Sequence, residues 1–431
     1  MASATRVRPA PHGQASVRPT APSQGPAAPR LKARPGHFGS FRLQQLVLIE
    51  IAAALLLVAW AIDPLMLVPA FVAAALLVLL ALLRRHRRSM PEWLATVFAL
   101  RARRRRAASL VLPSDTEPGL APVVECDPAL RTYTYSDRDR RPVGMIGDGT
   151  FLTALLQVES DATALRCDRT ARPLPMTLLR DVLDVDGIRL ESAQIVQHTQ
   201  PAPAPHLPQQ SVAARNYAPL QAQTGSPAIR ITWIALKLDP ELCPEAVAAR
   251  GGGLEGAQKC LVRTADQLAS RLTGAGFRAT VLTEEELTAA IATSSCASPM
   301  AIAQASRAET PAPRTQETSR TWRVDDRRHT TYWVSRWPQL GGGGAPMPQL
   351  VALLTSIPAL ATTFSLTLGH GDRQGVTVSG HVRITGRSDE ELVAARHELE
   401  RAARGVKTGL VRLDREQLPG MLATLPLGGA R

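Results

Sequence analysis

Two acidic pairs are the residues whose type and spacing come closest to a catalytic pattern. Asp184 and Asp186 in DVLDVDG, and Asp137 and Asp139 in SDRDR, each have the pattern Asp-x-Asp. Paired carboxylates can hold a divalent cation, and some glycosyltransferases use this pattern to bind a metal and a sugar nucleotide. Leu183, however, occupies a position where a calcium loop needs an oxygen ligand. We therefore interpret DVLDVDG as a helix-to-strand turn, and a membrane-anchored, metal-dependent enzyme is the alternative function.

Other catalytic patterns do not occur in the sequence. There is no G-x-x-x-x-G-K-[ST] loop, and the G-x-G-x-x-G pattern at 251–256 follows the helix-like PEAVAA instead of a strand. The histidines have no H-E-x-x-H spacing, and the cysteines have no C-x-x-C spacing, so they predict reduced thiols. The sequence thus predicts a protein that is not an enzyme and that has no cofactor and no metal. The cysteines are Cys126, Cys167, Cys243, Cys260 and Cys296.

An otherwise apolar run from Leu43 to Leu83 is broken in its middle by Asp63 and Pro64. The run is 41 residues long, whereas one helical crossing of a bilayer needs about 20 residues. Two spans therefore fit, with a tight turn at Asp63-Pro64, because the residue before a proline disfavours helix. The run is too long for a signal peptide and is followed by arginines instead of a cleavage site. We predict a transmembrane hairpin over residues 42–84.

The excess of positive over negative charge is confined to the surroundings of this hairpin. The formal net charge is +13, and residues 1–112 hold 16 Lys and Arg against 3 Asp and Glu, so that the remainder is neutral. Because basic residues flank both ends of the hairpin, the positive-inside rule places both termini in the cytoplasm and the tip outside. We predict a plasma-membrane protein with two spans.

The arginines that follow the hairpin could bind nucleic-acid phosphates or form a collar on anionic lipid headgroups. We favour headgroups and exclude a nucleic-acid partner, because the neutral remainder offers no further basic surface. In MPEWLATVFALRARRRRAA, Trp93 and Phe98 belong to an apolar stripe at helical spacing, which predicts membrane or partner contacts for both. The predicted headgroup-binding residues are Arg84, Arg85, Arg87, Arg88, Arg103, Arg104, Arg105 and Arg106.

Glu50 lies in the first predicted span, where an ionised carboxylate is costly. Either Glu50 contacts another transmembrane subunit or is protonated, or the span begins later and Glu50 lies at headgroup level. Both interpretations stay open at this point. The predicted membrane or partner contacts are therefore Glu50, Asp63 and Pro64 in the hairpin, together with Trp93 and Phe98.

The rest of the sequence predicts an α+β fold in two related cytoplasmic lobes. Alternating apolar residues predict strands such as 229–238 and 376–385, and periods of 3.6 predict helices such as 257–273 and 388–404. Segments rich in Pro, Ala, Ser or Gln cannot bury a core. The predicted organisation is a disordered basic N-terminus at 1–41, the hairpin at 42–84, a basic juxtamembrane amphipathic helix at 85–112, lobe 1 at 113–296 with a Pro/Gln-rich insertion at 200–226, a linker at 297–318 and lobe 2 at 319–426.

The relation between the lobes is visible in the sequence. A shift of 131 residues without gaps aligns Leu261-Val262 with Leu392-Val393, and Gly274 with Gly405. The shift also aligns two predicted helix caps. Thr283, with its reciprocal partner Glu286, falls on Asp414, with its partner Gln417. We interpret this as an internal repeat; the alternative is chance agreement between two ordinary amphipathic helices.

Residues 43–106 resemble EccE, a membrane component of the actinobacterial type VII (ESX) secretion system. The resemblance is carried by LQQLVLIEIAAALLLVAWAIDP, the second apolar span, the polyarginine exit and PEWL. The remaining α/β part resembles the family in layout, and the arginine- and alanine-rich, lysine-poor composition suits an actinobacterium. The insertion at 200–226 departs from the family pattern.

The resemblance implies a structural, non-enzymatic subunit of an inner-membrane complex. The implied partners are the B, C and D components, of which the C component is an ATPase. The family provides no catalytic residues to assign to this chain. The sequence therefore leaves two hypotheses: a scaffold that anchors and braces a secretion complex, and an enzyme that uses an Asp-x-Asp pair.

Overall fold

Runs of β-branched and apolar residues form a single antiparallel sheet of 12 strands in the computed structural model. This confirms the α+β class. The described residues are 37–38, 41–63, 67–82, 84–85, 88–113, 116–136, 140–160, 173–201, 212, 215–216, 229–308, 312–338, 347–371 and 375–429. Most of the predicted N-terminal disordered segment and of the 200–226 insertion lies outside these residues.

The strands of the sheet follow the chain in two sets of six. The first set is β1 (Arg131–Ser136), β2 (Pro142–Gly147), β3 (Leu152–Ser160), β4 (Ser192–Gln200), β5 (Ile229–Leu238) and β6 (Phe277–Val281). The second set is β7 (Thr315–Glu317), β8 (Trp322–Val324), β9 (Arg327–Arg336), β10 (Ala361–His370), β11 (Val376–Gly386) and β12 (Gly409–Arg412).

Helices fill the connections between these strands and precede them. The N-terminal helices are α1 (Leu43–Ile62), α2 (Leu67–Leu82), α3 (Met90–Ala108) and α4 (Ala121–Cys126). The first half contains α5 (Met176–Asp181), α6 (Pro244–Ala248), α7 (Gly253–Gly274) and α8 (Glu284–Ser294). The second half contains α9 (Pro299–Ala305), α10 (Met347–Thr355), α11 (Asp389–Gly405) and α12 (Gln417–Thr424). Residues 297–318, predicted as a linker, thus include α9 and β7.

The two sets of strands have the same pairing pattern. The order across the sheet is β7-β8-β9-β11-β10-β4-β5-β3-β2-β1, with β6 on β3 and β12 on β9. In each half the third strand pairs with the fifth on one side, and with the second and the sixth on the other. The fourth strands of the two halves, β4 and β10, pair antiparallel from Ser192–Gly369 to Thr199–Thr362. The two halves therefore form one continuous sheet.

The shift of 131 residues relates elements that occupy equivalent places in the two halves. Helix α7 ends at Gly274 and α11 ends at Gly405, and each is followed by a short strand and a helix. The predicted capping box of Thr283 and Glu286 is confirmed. The second predicted cap is wrong: Asp414 accepts hydrogen bonds from Arg412 at 2.5 and 2.8 Å, and α12 begins without a side-chain cap.

Each face of the sheet is covered by its own layer of helices. One layer contains α5, α7, α10 and α11, and α7 buries Leu261, Leu268 and Leu272 at helical spacing. The opposite layer contains α4, α8 and α12, which pack on apolar residues such as Trp233 and Leu155. The sheet is thus buried on both faces, and its two cores extend over both halves.

The N-terminal hairpin has its small residues inside and its large apolar residues outside. Helices α1 and α2 pack together, and Ala52, Ala59, Ala70 and Ala74 are buried on them. Exposed residues include Leu57, Trp60, Ile62, Phe71 and Leu76. Small residues allow two helical backbones to approach closely.

Among the residues that the structure describes, no helix combines the length and the apolar character needed to span a membrane.

The C-terminal segment connects the second half to the first. After α12, Leu427 O accepts a hydrogen bond from Thr153 Oγ1 at 3.1 Å. Gly428 N donates to Gln194 Oε1 at 2.8 Å, and Gly428 O accepts from Ser192 Oγ at 2.6 Å. The segment therefore lies across β3 and β4 and is held by side chains of the first half.

Gly428→Ala should destabilise the protein, because φ is +91° and an added Cβ would lie 2.5 Å from Lys237 Cβ. We expect a loss of about 2 kcal/mol or more in the free energy of unfolding, measured by urea titration of the full-length chain in detergent. Gly274→Ala is the control, because a Cβ there meets no atom within 4 Å. The control should be unchanged or more stable by up to about 1 kcal/mol. Equal stability of the two variants would contradict the assigned path of the C-terminal segment.

Candidate functional site

The arginine run at the end of α3 is bound to the body of the protein through Glu317. Arg103 Nε and Nη2 donate to the two carboxylate oxygens of Glu317, both at 2.8 Å, and Nη2 also donates to Arg415 O at 2.6 Å. The side chains of Arg103 and Glu317 are only 12% and 4% exposed. A two-pronged guanidinium–carboxylate pair in a buried place fixes both position and orientation.

Glu317 connects three elements at this point. It is the last residue of β7, and its Oε1 also accepts from Leu418 N, in the first turn of α12, at 3.0 Å. A carboxylate at a helix N-terminus satisfies a backbone donor that has no partner within the helix. Arg104 Nε donates to Glu317 O at 3.0 Å. Helix α3 is therefore bonded to the edge of the sheet and to the start of α12.

The first half of α3 contacts the same part of the body. The guanidinium of Arg415 lies 5.2 Å from the centre of the Trp93 ring, which is a cation–π arrangement. Leu100 is buried, whereas Phe98 is 60% exposed on the opposite side of the helix. The two predicted contact residues of this segment, Trp93 and Phe98, thus face different surroundings.

The other predicted contact residues lie apart from this contact. Glu50 and Asp63 are exposed on and after α1. Arg84 and Arg85 pair with Arg88 and Ser89 in a short ladder between α2 and α3. Pro64 and Arg87 lie outside the described residues. Arg105 and Arg106 are exposed on α3.

The acidic pair in DVLDVDG forms a hairpin turn. Asp186 and Gly187 connect two short strands, Asp184–Val185 and Ile188–Arg189, and have φ of 51° and 75°, as a two-residue type I′ turn requires. Asp186 Oδ2 accepts from Arg263 Nη2 at 3.0 Å, and Asp184 is exposed. Asp137 and Asp139 lie outside the described residues. In the part of the chain that the structure describes, no three potential ligands are grouped to hold a metal.

A buried arginine connects the two halves on the face covered by α8 and α12. Arg383 of β11 is fully buried; it donates to Ser294 O at the end of α8 and contacts Met421 Sδ of α12. Its Nη2 also donates to Thr363 Oγ1 at 3.1 Å. Burial lowers the pKa of Arg383 to about 10. The C-terminal end of a helix carries partial negative charge, so α8 stabilises this cation.

Three buried histidines lie on three different strands of the sheet: His198 on β4, His329 on β9 and His381 on β11. Burial, with Arg383 as the second cause, lowers the pKa of His198 to about 3 and that of His329 well below its usual value. Burial lowers the pKa of His381 to about 4. His198 Nδ1 lies 3.0 Å from Thr363 Oγ1, which also binds Arg383. Sequence patterns did not indicate this cluster, because its members come from separate strands with no local spacing.

The comparison with known families concerns the junction between the two halves. Residues 226–334, which extend from β5 into β9, match the family model EccE, described as "Putative type VII ESX secretion system translocon, EccE". This segment is therefore similar to the EccE family. The predicted resemblance to the EccE family is thereby confirmed, from a part of the chain other than residues 43–106. No curated protein matches the chain.

The EccE segment contains Ser294, Glu317 and His329. The segment includes the end of α8, where Ser294 O accepts a hydrogen bond from Arg383. It also includes Glu317, whose carboxylate binds Arg103 of α3. The EccE match thus covers α8, which contacts Arg383, and β7, which holds α3 through Glu317.

Arg103→Ala should release α3 from the body. Because Glu317 would remain buried with only Leu418 N as a partner, we expect local opening to become easier by about 3 kcal/mol. Amide hydrogen exchange over residues 93–108 should then be about 100-fold faster in the full-length chain. Arg105→Ala, on the exposed side of the same run, is the matched control and should leave exchange unchanged. Unchanged protection in the Arg103 variant would contradict the contact.

The buried histidines predict a loss of stability in acid. An unfolded histidine, with a pKa of about 6.5, binds protons that these folded histidines do not, so stability is lost as the pH falls from about 6.5 towards 4. At pH 5 the expected loss is about 2 kcal/mol for each histidine.

His381→Gln tests this sign directly. The difference in unfolding free energy between pH 7.5 and pH 5, measured by urea titration, should shrink by about 2 kcal/mol. His397→Gln, at an exposed position on α11, should leave the difference unchanged. A His381 variant with the wild-type pH dependence would show that this histidine titrates normally.

Proposed function

We propose that the protein is a structural, non-enzymatic subunit of a type VII (ESX) secretion translocon. The observation that carries the proposal is the EccE match over residues 226–334. It is supported by the independent resemblance of residues 43–106 to the same family. The proposed partners are the B and D membrane components and the C-type ATPase of the complex.

The N-terminal hairpin is the proposed membrane anchor, with both termini in the cytoplasm. Its support is the distribution of side chains: alanines lie between α1 and α2, and Leu57, Trp60 and Phe71 face outward. Large exposed apolar surfaces of this kind mark contact with lipid or with other proteins. In the complex, the same outward surface, with Glu50, is available to transmembrane helices of other subunits.

The α+β body is the proposed bracing element. The contact of Arg103 with Glu317 transmits the position of the hairpin to the sheet, since α3 packs on α2 at one end and bonds to β7 at the other. The continuous sheet then extends from this contact through both halves. The body thereby offers a broad surface to neighbouring subunits.

Affinity purification from detergent-solubilised native membranes tests the proposed function. The full-length chain should co-migrate on a native gel with an ATPase and a many-span membrane subunit, both identified by mass spectrometry. Asp184→Ala/Asp186→Ala is the control for the enzyme alternative, and it should preserve both assembly and secretion. A small particle without other subunits would contradict the scaffold, and loss of activity in a normally assembled acidic-pair variant would favour an enzyme.

A further inference from the structure

Helix α3 has two opposite faces with different surroundings. The face towards the body carries Leu100 and Arg103, with Arg104 bonded at its border. The opposite face carries Phe98, Arg101 and Arg105, which have the spacing i, i+3 and i+7 of a single helical stripe. All three of these residues are exposed. The arginine run is therefore divided by helical geometry into a bonded part and an exposed part.

The exposed face carries the positive charges of Arg101 and Arg105. Glu92 is the only acidic residue in the sequence of α3, and it lies in the first turn, away from Arg101, Arg105 and Arg106. Phe98 places an aromatic ring one turn before these arginines. An exposed aromatic residue beside a row of arginines is the composition of helices that lie at an anionic membrane surface.

The position of α3 along the chain favours a lipid partner. Helix α2 ends at Leu82 and α3 begins at Met90, and the two helices pack together. Helix α3 thus follows the hairpin directly in the chain and contacts it. The body on the other side of α3 is electrically neutral over residues 113–431, so it provides no basic surface that a nucleic acid could follow.

We propose that the outward face of α3 binds anionic lipid headgroups while its inward face holds the body, so that α3 sets the orientation of the sheet at the membrane surface. The inference rests on the membrane anchoring proposed above. It assigns different roles to neighbouring arginines: Arg101 and Arg105 bind headgroups, whereas Arg103 and Arg104 bind Glu317.

Two double variants that remove the same charge test this division. The full-length chain, Arg101→Gln/Arg105→Gln and Arg103→Gln/Arg104→Gln are each titrated in detergent with phosphatidylglycerol, and lipid occupancy is followed by native mass spectrometry. Phosphatidylcholine is the control lipid. The outward variant should bind phosphatidylglycerol about 30-fold more weakly, since each basic residue near an anionic surface contributes about fivefold.

The inward variant should keep its affinity for phosphatidylglycerol within about threefold, and its α3 amides should exchange faster. Equal losses of lipid in both variants would overturn the division, because they would reflect total charge alone. Unchanged lipid affinity in the outward variant, or displacement of phosphatidylglycerol by a short single-stranded RNA, would overturn the lipid assignment. Co-purification with translocon subunits is a separate readout, so failure of the lipid inference is distinguishable from failure of the proposed function.

Discussion

The antiparallel pairing of β4 with β10 is the constraint on which the rest of the structure depends. Each half of the chain builds a sheet that would end at this strand with unpaired backbone groups, and an exposed edge of this length invites aggregation. Pairing the two edges satisfies these groups and creates one sheet from two sets of six strands. It also fixes which side chains of the two halves can meet across the junction.

Several contacts exist only because this junction is in place. Arg383 reaches the end of α8, which belongs to the other half, and the C-terminal segment crosses from α12 to Ser192 and Gln194. A buried guanidinium is costly when nothing compensates its charge. Here the C-terminal end of α8 carries partial negative charge, and Thr363 Oγ1 accepts a hydrogen bond from Arg383. The halves are thus held by a polar interface as well as by apolar packing.

The contact between α3 and Glu317 extends this arrangement towards the N-terminal hairpin. Glu317 receives bonds from Arg103 of α3 and from Leu418 of α12, so one carboxylate joins the hairpin side of the chain to the edge strand and the C-terminal helix. The hairpin itself has the reverse distribution of a soluble helical pair, with alanine inside and large apolar side chains outside. The proposed scaffold role would use both the apolar outer surface of the hairpin and the connection of α3 to the sheet.

The sequence by itself determined the elements that depend on local periodicity. The break between α1 and α2, the main strands and helices outside 297–318 and the repeat that aligns Gly274 with Gly405 follow from apolar spacing and from capping residues such as Thr283. These features could be predicted because their causes lie within one or two turns or strands. The sequence also shows that the catalytic motifs sought do not occur in it, because such motifs are local patterns as well.

Only the tertiary structure decided which residues meet across long distances in the chain. Arg103 and Arg105 are both arginines of one run, but their surroundings differ. Helical geometry directs Arg103 towards Glu317, which is 214 residues away in the chain, whereas Arg105 is exposed. The register of β4 against β10, the burial of Arg383 and the pairing of Asp186 with Arg263 likewise depend on packing between separate elements. Such contacts leave no local pattern, because the partner residues are brought together only when the whole sheet has formed.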